Sequence, residues 1–117
     1  MGAVRIKVTL SGKRRESVTA LVDTGATFTV VPAALAARIG IKPLRSVPVQ
    51  LADGSHHRFP ASTAFVRVDG RESPATVLIA PAGEVLLGVE TLESLGLTVD
   101  PKRRRLKATH PFAIKAA

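Results

Sequence analysis

The chain has 117 residues, which suits one domain with a core of its own. Hydrophobic residues make up 45% of the chain and aromatic residues only 3%, so the core must be aliphatic, and a stacking platform for single-stranded nucleic acid, which uses aromatic faces, is disfavoured. The absence of cysteine excludes disulfides, thiolate catalysis and cysteine-ligated zinc. Neither a signal-peptide layout nor a membrane-spanning apolar run is visible, so we expect no membrane association and a cytoplasmic location.

The net charge of +8 is concentrated near the C-terminus. Six basic residues and no acidic residue follow position 100, and the rest of the chain carries +2. These basic residues are Lys102, Arg103, Arg104, Arg105, Lys107 and Lys115. Such a run is typical of a solvated turn, and the alternative is a surface for an acidic partner or a phosphate backbone.

The first half of the chain predicts a hairpin, an aspartate-containing turn, a short strand and a helix. Apolar and polar residues alternate at the start, as in a half-buried strand, and a charged turn at residues 11–15 follows. Proline suits the first position of a helix, and Gly40 can adopt the left-handed conformation after its end. The predicted elements are strands at Val4–Val8, Ser17–Val22 and Phe28–Val31 and a helix at Pro32–Ile39.

The second half predicts further short strands and one more helix. Asp-Gly pairs at Asp53-Gly54 and Asp69-Gly70 predict tight hairpin turns. The predicted elements are strands at Ser46–Leu51, Arg58–Val68 and Ala75–Ala80, a helix at Val89–Leu95 capped by Gly96, and closing strands at Leu97–Val99 and Arg105–Lys107. Many short strands with one or two short helices indicate an all-β barrel or sandwich. We expect a single domain over residues 1–117, with a core at about 4–107 and a basic tail at 108–117.

A tripeptide at the end of the second predicted strand, Asp23-Thr24-Gly25, combines three chemical properties. Aspartate supplies a carboxylate, threonine supplies a hydroxyl, and glycine allows a tight turn and close approach of another backbone. Hydrolysis of a peptide by an acid–base pair needs two carboxylates, one ionised and one protonated. The chain contains no second D-T-G or D-S-G, so the second carboxylate would have to come from another copy across a two-fold axis.

Three features in order resemble the retropepsin-like aspartic proteases, the single-domain homodimeric relatives of pepsin. The segment A-L-V-D-T-G-A-T at residues 20–27 resembles the active-site loop of that family. The predicted hairpin around residues 52–55 lies where the family has its flap. The apolar strand at residues 76–79, the Leu-Leu-Gly motif at 86–88 and the helix at 92–97 are similar to the end of the family's core. Thr27 and Val89 stand where viral members carry a paired aspartate and arginine, so the pattern resembles the cellular and bacterial branch.

The resemblance implies a closed β-barrel with one or two short helices that hydrolyses peptide bonds as a two-fold dimer. Asp23 would pair with its copy around a water, and Thr24 would donate a hydrogen bond across the dimer axis beside Gly25. Gly25, Ala26 and Thr27 would line the cleft and contact the substrate backbone, and the flap would cover it. The flap residues are Ala52, Asp53, Gly54 and Ser55. The motif Leu86, Leu87 and Gly88 would pack beneath the active-site loop, and no metal or cofactor is implied.

Other interpretations of the same residues remain. Asp23 could be a turn aspartate that bonds to its own backbone, a role that D-T-G suits. His56, His57 and His110 are interpreted as surface histidines, although histidines near a flap could make its closure depend on pH. The alternative functions are a catalytically silent peptide-binding dimer of the same fold and a basic β-domain that binds nucleic acid.

Overall fold

The computed structural model describes residues 3–109, so His110, Lys115 and most of the predicted basic tail lie outside the described residues. The described residues form nine strands and two helices. The strands are β1 (Arg5–Ser11), β2 (Arg15–Val22), β3 (Thr29–Pro32), β4 (Arg45–Gln50), β5 (His56–Val68), β6 (Arg71–Ala80), β7 (Val85–Leu87), β8 (Leu97–Asp100) and β9 (Arg105–Ala108). The helices are α1 (Ala33–Arg38) and α2 (Val89–Leu95).

Six strands close into a barrel. They are hydrogen-bonded in the order β1-β2-β7-β3-β6-β5, and β5 pairs back onto β1 through Ser11 and Phe65. Strand β4 pairs only with β5 among the strands described, so the β4–β5 hairpin extends beyond the closed wall. The prediction of an all-β closed barrel with two short helices is therefore confirmed.

The core is aliphatic, as the composition predicts. Leu10 of β1, Val66 of β5 and Leu87 of β7 are fully buried. Because successive strand residues point to opposite faces, the neighbours of Val66 point outward, and Phe65 and Arg67 are exposed. Neither helix within residues 3–109 is long enough to cross a membrane, since α1 has six residues and α2 has seven.

The turn between β1 and β2 is fixed against the end of α1. The Arg14 N–H donates to the Ile39 carbonyl at 3.1 Å, and the Arg14 Nε–H donates to the Arg38 carbonyl at 2.6 Å. A Cβ at Gly12 would lie 2.5 Å from the Ile39 oxygen, so this close approach requires glycine. The last carbonyls of α1 thus accept a hydrogen bond from a guanidinium group, and the partial negative charge at a helix C-terminus favours such a cation.

Two turns differ from each other although both contain Asp-Gly. Asp69 and Gly70 both have positive φ, at 49° and 78°, as a type I′ hairpin turn requires. The second pair, Asp53-Gly54, does not form the predicted tight turn, because only Gly54 has positive φ and the connection spans residues 51–55. The predicted closing strands are present as β8 and β9, but they do not close the barrel. They pair with each other in a separate two-stranded sheet.

Candidate active site

Asp23 lies directly beyond β2, in a loop fixed by main-chain hydrogen bonds. Its N–H donates to the Leu87 carbonyl at 3.0 Å, which extends the parallel pairing of β2 with β7 by one step. Its Oδ1 accepts the Gly25 N–H at 3.0 Å, and its carbonyl accepts the Ala26 N–H at 3.1 Å. The carboxylate is half-buried and is oriented by the turn that follows it.

The far side of this loop is bonded to the start of α2. The Val89 N–H donates to the Ala26 carbonyl at 2.8 Å, and the Glu90 N–H donates to the Thr27 carbonyl at 3.1 Å. The first N–H groups of a helix have no partner inside the helix, so the loop carbonyls satisfy two of them. The loop and the helix therefore hold each other in position.

Gly88 lies between β7 and α2, where the chain passes closest to the segment after the loop. A Cβ at this position would lie 2.5 Å from the Phe28 carbonyl carbon and oxygen and 2.9 Å from the Thr29 nitrogen. All three contacts are backbone atoms, which cannot rotate away. Leu87 is fully buried beneath the loop and Leu86 is half-buried, so the motif predicted to support the loop lies against it.

Thr24 is exposed in the loop that follows β2. It lines a cavity of about 290 Å³ together with residues of α2 and β8. The lining side chains on those two elements include Val89, Leu92, Leu97 and Val99, which give the cavity an apolar wall. The Asp23 loop thus adjoins an apolar surface through Thr24.

The β4–β5 hairpin, which was predicted to be the flap, has a tip with its own hydrogen bonds. Ser55 donates its hydroxyl to Asp53 Oδ1 at 2.6 Å and its N–H to the same oxygen at 2.9 Å. The Ser55 hydroxyl is also 3.0 Å from Nε2 of His57, whose ring stacks on Phe59 with centroids 6.1 Å apart. The Ser55 hydroxyl bond, followed by its N–H bond, lowers the pKa of Asp53 below its ordinary value. Ala52 and Gly54 are exposed at this tip.

Comparison with known proteins identifies the family. Residues 6–94 match the family model described as "gag-polyprotein putative aspartyl protease". The chain belongs to this family. The barrel is similar to the solution structure of simian foamy virus (mac) protease, with 23% identity, a TM-score of 0.58, and coverage of 80% of this chain and 94% of that one. It is also similar to EIAV protease complexed with the inhibitor HBY-793, with 19% identity, a TM-score of 0.64, and coverage of 85% and 93%. No curated protein matches the chain.

The structure of this aspartyl protease family member brings together only part of the predicted site. The Asp23 loop, the Leu-Leu-Gly motif and the start of α2 are joined directly by hydrogen bonds. The tip residues Ala52 to Ser55 bond within their own hairpin, and within residues 3–109 no hydrogen bond joins the tip to the Asp23 loop. The roles assigned to individual residues at the two places remain predictions.

Two threonines beneath the site were not predicted from the sequence. Thr29 and Thr91 are buried, and their hydroxyl oxygens are 2.7 Å apart. Thr29 Oγ1 also accepts the Gly88 N–H at 3.1 Å. In this family member, one buried hydroxyl pair therefore joins β3, the Leu-Leu-Gly motif and α2. Gly88 and Thr91 lie 59 and 62 residues after Thr29 in the sequence, so no local pattern could reveal the threonine pair.

The charged side chains of the family member do not form a metal centre in the part described. Among residues 3–109, no group of three or more histidine, aspartate and glutamate side chains is placed to hold a metal ion. Asp23 has the backbone of its own turn as its hydrogen-bond partner.

Proposed function

We propose that the protein is a cytoplasmic aspartic endopeptidase whose active site forms between two copies of the chain. One observation carries the proposal: a single Asp-Thr-Gly loop, braced by β7 and α2, presents one carboxylate at the surface of a barrel of the aspartyl protease family. One carboxylate cannot serve as base and acid at once, and the chain has no second such loop. A two-fold axis beside Thr24 supplies the second Asp23 from an identical copy.

The chemistry assigns different tasks to the two Asp23 carboxylates. Two carboxylates close together share one proton, because both cannot ionise easily at that separation. The ionised carboxylate removes a proton from water while the water oxygen bonds to the carbonyl carbon of the peptide. The protonated carboxylate donates to the carbonyl oxygen, which becomes a hydroxyl of the tetrahedral intermediate. When this intermediate collapses, the first carboxyl gives the proton it took from water to the nitrogen, and the second carboxylate takes a proton back from a hydroxyl of the intermediate. The C–N bond breaks, a carboxylic acid and an amine are released, and the pair again shares one proton.

The geometry around the loop supports this assignment of roles. Gly25 leaves the carboxylate accessible, since a Cβ there would lie 3.3 Å from Asp23 Oδ1. In the proposed dimer, Ala26 and Thr27 contact the substrate backbone, and the tip at residues 52–55 closes over it to exclude water. The exposed hydroxyl of Thr24 donates across the axis, beside the apolar cavity wall that the partner covers.

The decisive test compares the unmodified protein with Asp23→Asn on a diverse peptide pool read by mass spectrometry. Asparagine keeps an oxygen that can accept the Gly25 N–H, so we expect an intact fold and no cleavage. Asp69→Asn is the matched control, because it removes the same charge at an exposed turn whose positive φ asparagine tolerates. Cleavage by the unmodified protein should be blocked by a statine-type mimic of the tetrahedral intermediate. Equal cleavage by the Asp23→Asn protein would refute the assignment.

Sedimentation at the assay concentration tests the dimer independently. A protein that cleaves peptides while remaining a strict monomer would contradict the shared site. A dimer that binds peptides without cleaving them would instead show a catalytically silent member of the same fold.

A further inference from the structure

A second surface, here called the basic cleft, lies at the opposite end of β2 from Asp23. It is an open cleft of about 540 Å³ lined by Ser11, Gly12, Lys13, Arg14, Arg15, Phe65, Arg67 and Glu72. Because β2 begins at Arg15 and ends just before Asp23, the cleft is roughly 25 Å from the catalytic carboxylate along the strand. The cleft therefore lies outside the proposed active site.

The strand register places the key side chains on one outward face. Ser11 pairs with Arg15 on one side and with Phe65 on the other, and directly paired residues share a face. Arg67 is two residues beyond Phe65 and pairs with Glu72. Phe65 and Arg67 are thus about 7 Å apart along β5, with Arg15 about 10 Å away across two strands. Phe65 is 48% exposed, a high value for a large apolar side chain.

The positive charge of the cleft is largely uncompensated. Four basic side chains line it against one carboxylate, that of Glu72. Glu16, which follows Arg15 in β2, is already bonded through both carboxylate oxygens to Arg38, at 3.2 and 3.0 Å. Within residues 3–109 no ion pair engages Lys13, Arg15 or Arg67. These cations are available to an anionic ligand.

The basic turn is also held in place before any ligand arrives. Backbone and guanidinium bonds from Arg14 fix it to the end of α1. The stem of Lys13 lies over Gly40, where a Cβ would be only 2.9 Å from the Lys13 Cβ. A ligand therefore binds without ordering this segment, which lowers the cost of association.

We propose that the basic cleft binds single-stranded nucleic acid, with one base stacked on Phe65 and the neighbouring phosphates bound by Arg15, Arg67 and Lys13. Single-strand binders combine a basic groove with an aromatic face, and both are present here within one or two nucleotide spacings. An aromatic face is useless to a duplex, whose bases are already stacked. The low aromatic content of the chain restricts the mode to one stacked base, so binding should be independent of sequence and sensitive to salt.

Fluorescence anisotropy with a labelled oligouridylate of about 12 nucleotides tests the proposal. Phe65→Ala should weaken binding about fivefold or more, and Phe65→Leu, which keeps apolar bulk without a flat ring, should weaken it similarly. The double variant Arg15→Ala/Arg67→Ala should reduce the slope of log K against log salt by about 1.4, since each single-strand phosphate contact contributes about 0.7. The matched control Lys102→Ala/Arg103→Ala removes the same charge from the β8–β9 turn and should leave binding close to the original.

Several results would overturn the proposal. An equal loss in the Lys102→Ala/Arg103→Ala protein would show that net charge or the C-terminal hairpin is responsible. Unchanged binding by both Phe65 variants would show that no base stacks on Phe65. A duplex or a polyglutamate peptide that binds as tightly as the oligouridylate would identify a general polyanion or acidic-peptide surface. If the oligouridylate does not bind even at low salt, the proposal is refuted. All substituted side chains are exposed, and circular dichroism would verify the fold of each variant.

Discussion

Gly88→Ala is the substitution for which the structure makes the sharpest stability prediction. Gly88 has φ −83° and ψ 166°, which any residue can adopt, so the backbone angles predict no strain. The added methyl group would instead lie 2.5 Å from the carbonyl carbon and oxygen of Phe28. Because these contacts are backbone atoms within a buried junction, relief requires separating β7 from the segment that follows the Asp23 loop.

The expected cost is at the upper end of that for overpacked cores. Inserting a methylene into a well-packed site typically costs about 1–3 kcal/mol, and a backbone obstacle places Gly88→Ala near 3 kcal/mol. This is a large share of a total stability of about 5–15 kcal/mol. The same shift would disturb the bond from the Gly88 N–H to Thr29 Oγ1, so any peptidase activity should fall as well.

Urea unfolding at one fixed protein concentration measures the effect, because the proposed association of two copies would also contribute to apparent stability. We expect a lower midpoint with an unchanged slope. Gly83→Ala is the matched control, since a Cβ there meets nothing within 4 Å, and its effect should stay within about 0.5 kcal/mol. If Gly88→Ala unfolds at the same urea concentration as Gly83→Ala, the close approach is not a constraint and the account of the Leu-Leu-Gly motif is wrong.

Two further predictions concern hydrogen bonds around the site. Thr29→Val and Thr91→Val should each destabilise the protein by about 1–3 kcal/mol, because each leaves a buried hydroxyl without its partner. The losses of the two single variants should not add up to the loss of the double variant in a double-mutant cycle, and additive losses would contradict the hydrogen bond. Ser55→Ala should raise the pKa of Asp53 toward its ordinary value, as followed by NMR titration of the carboxyl carbon. Since the pKa of Asp53 is lowered in the folded state, the Asp53–Ser55 interaction stabilises the tip at pH values above the ordinary pKa of aspartate. This stabilisation is lost as the pH falls through the lowered pKa. An unchanged titration midpoint of Asp53 in the Ser55→Ala protein would contradict this cause.

Local chemistry allowed much of the fold to be predicted. Glycines after both helices indicated where those helices end, and Gly40 and Gly96 do adopt positive φ there. The Asp69-Gly70 turn follows from the same backbone preference. Asp53-Gly54 is the exception, because the Asp53 carboxylate accepts two bonds from Ser55 and so stabilises a longer tip. An Asp-Gly pair indicates a turn, but competing side-chain bonds decide its length.

Long-range pairing explains what the sequence could not reveal. The parallel pairing of β2 with β7 joins Val22 to Leu87, and this long-range contact helps to place the Leu-Leu-Gly motif beneath Asp23. The buried Thr29–Thr91 pair depends on the same arrangement. Motif order suggested that these segments belong to one site, whereas their contacts come from barrel closure. For the same reason, Arg15 and Arg67 become neighbours only when β1 lies between β2 and β5.

The two ends of β2 are fixed by different helices, and this makes the functions proposed for them separable. The Asp23 end is bonded to β7 and α2, whereas the Arg15 end adjoins a turn bonded to α1. A substitution in the basic cleft acts on exposed side chains whose loss leaves the bonds around Asp23 unchanged. Asp23→Asn, in turn, changes one carboxylate and leaves the basic turn intact. We therefore expect that the proposed peptide hydrolysis and the proposed nucleic-acid binding can be abolished one at a time, by Asp23→Asn and by the substitutions in the basic cleft.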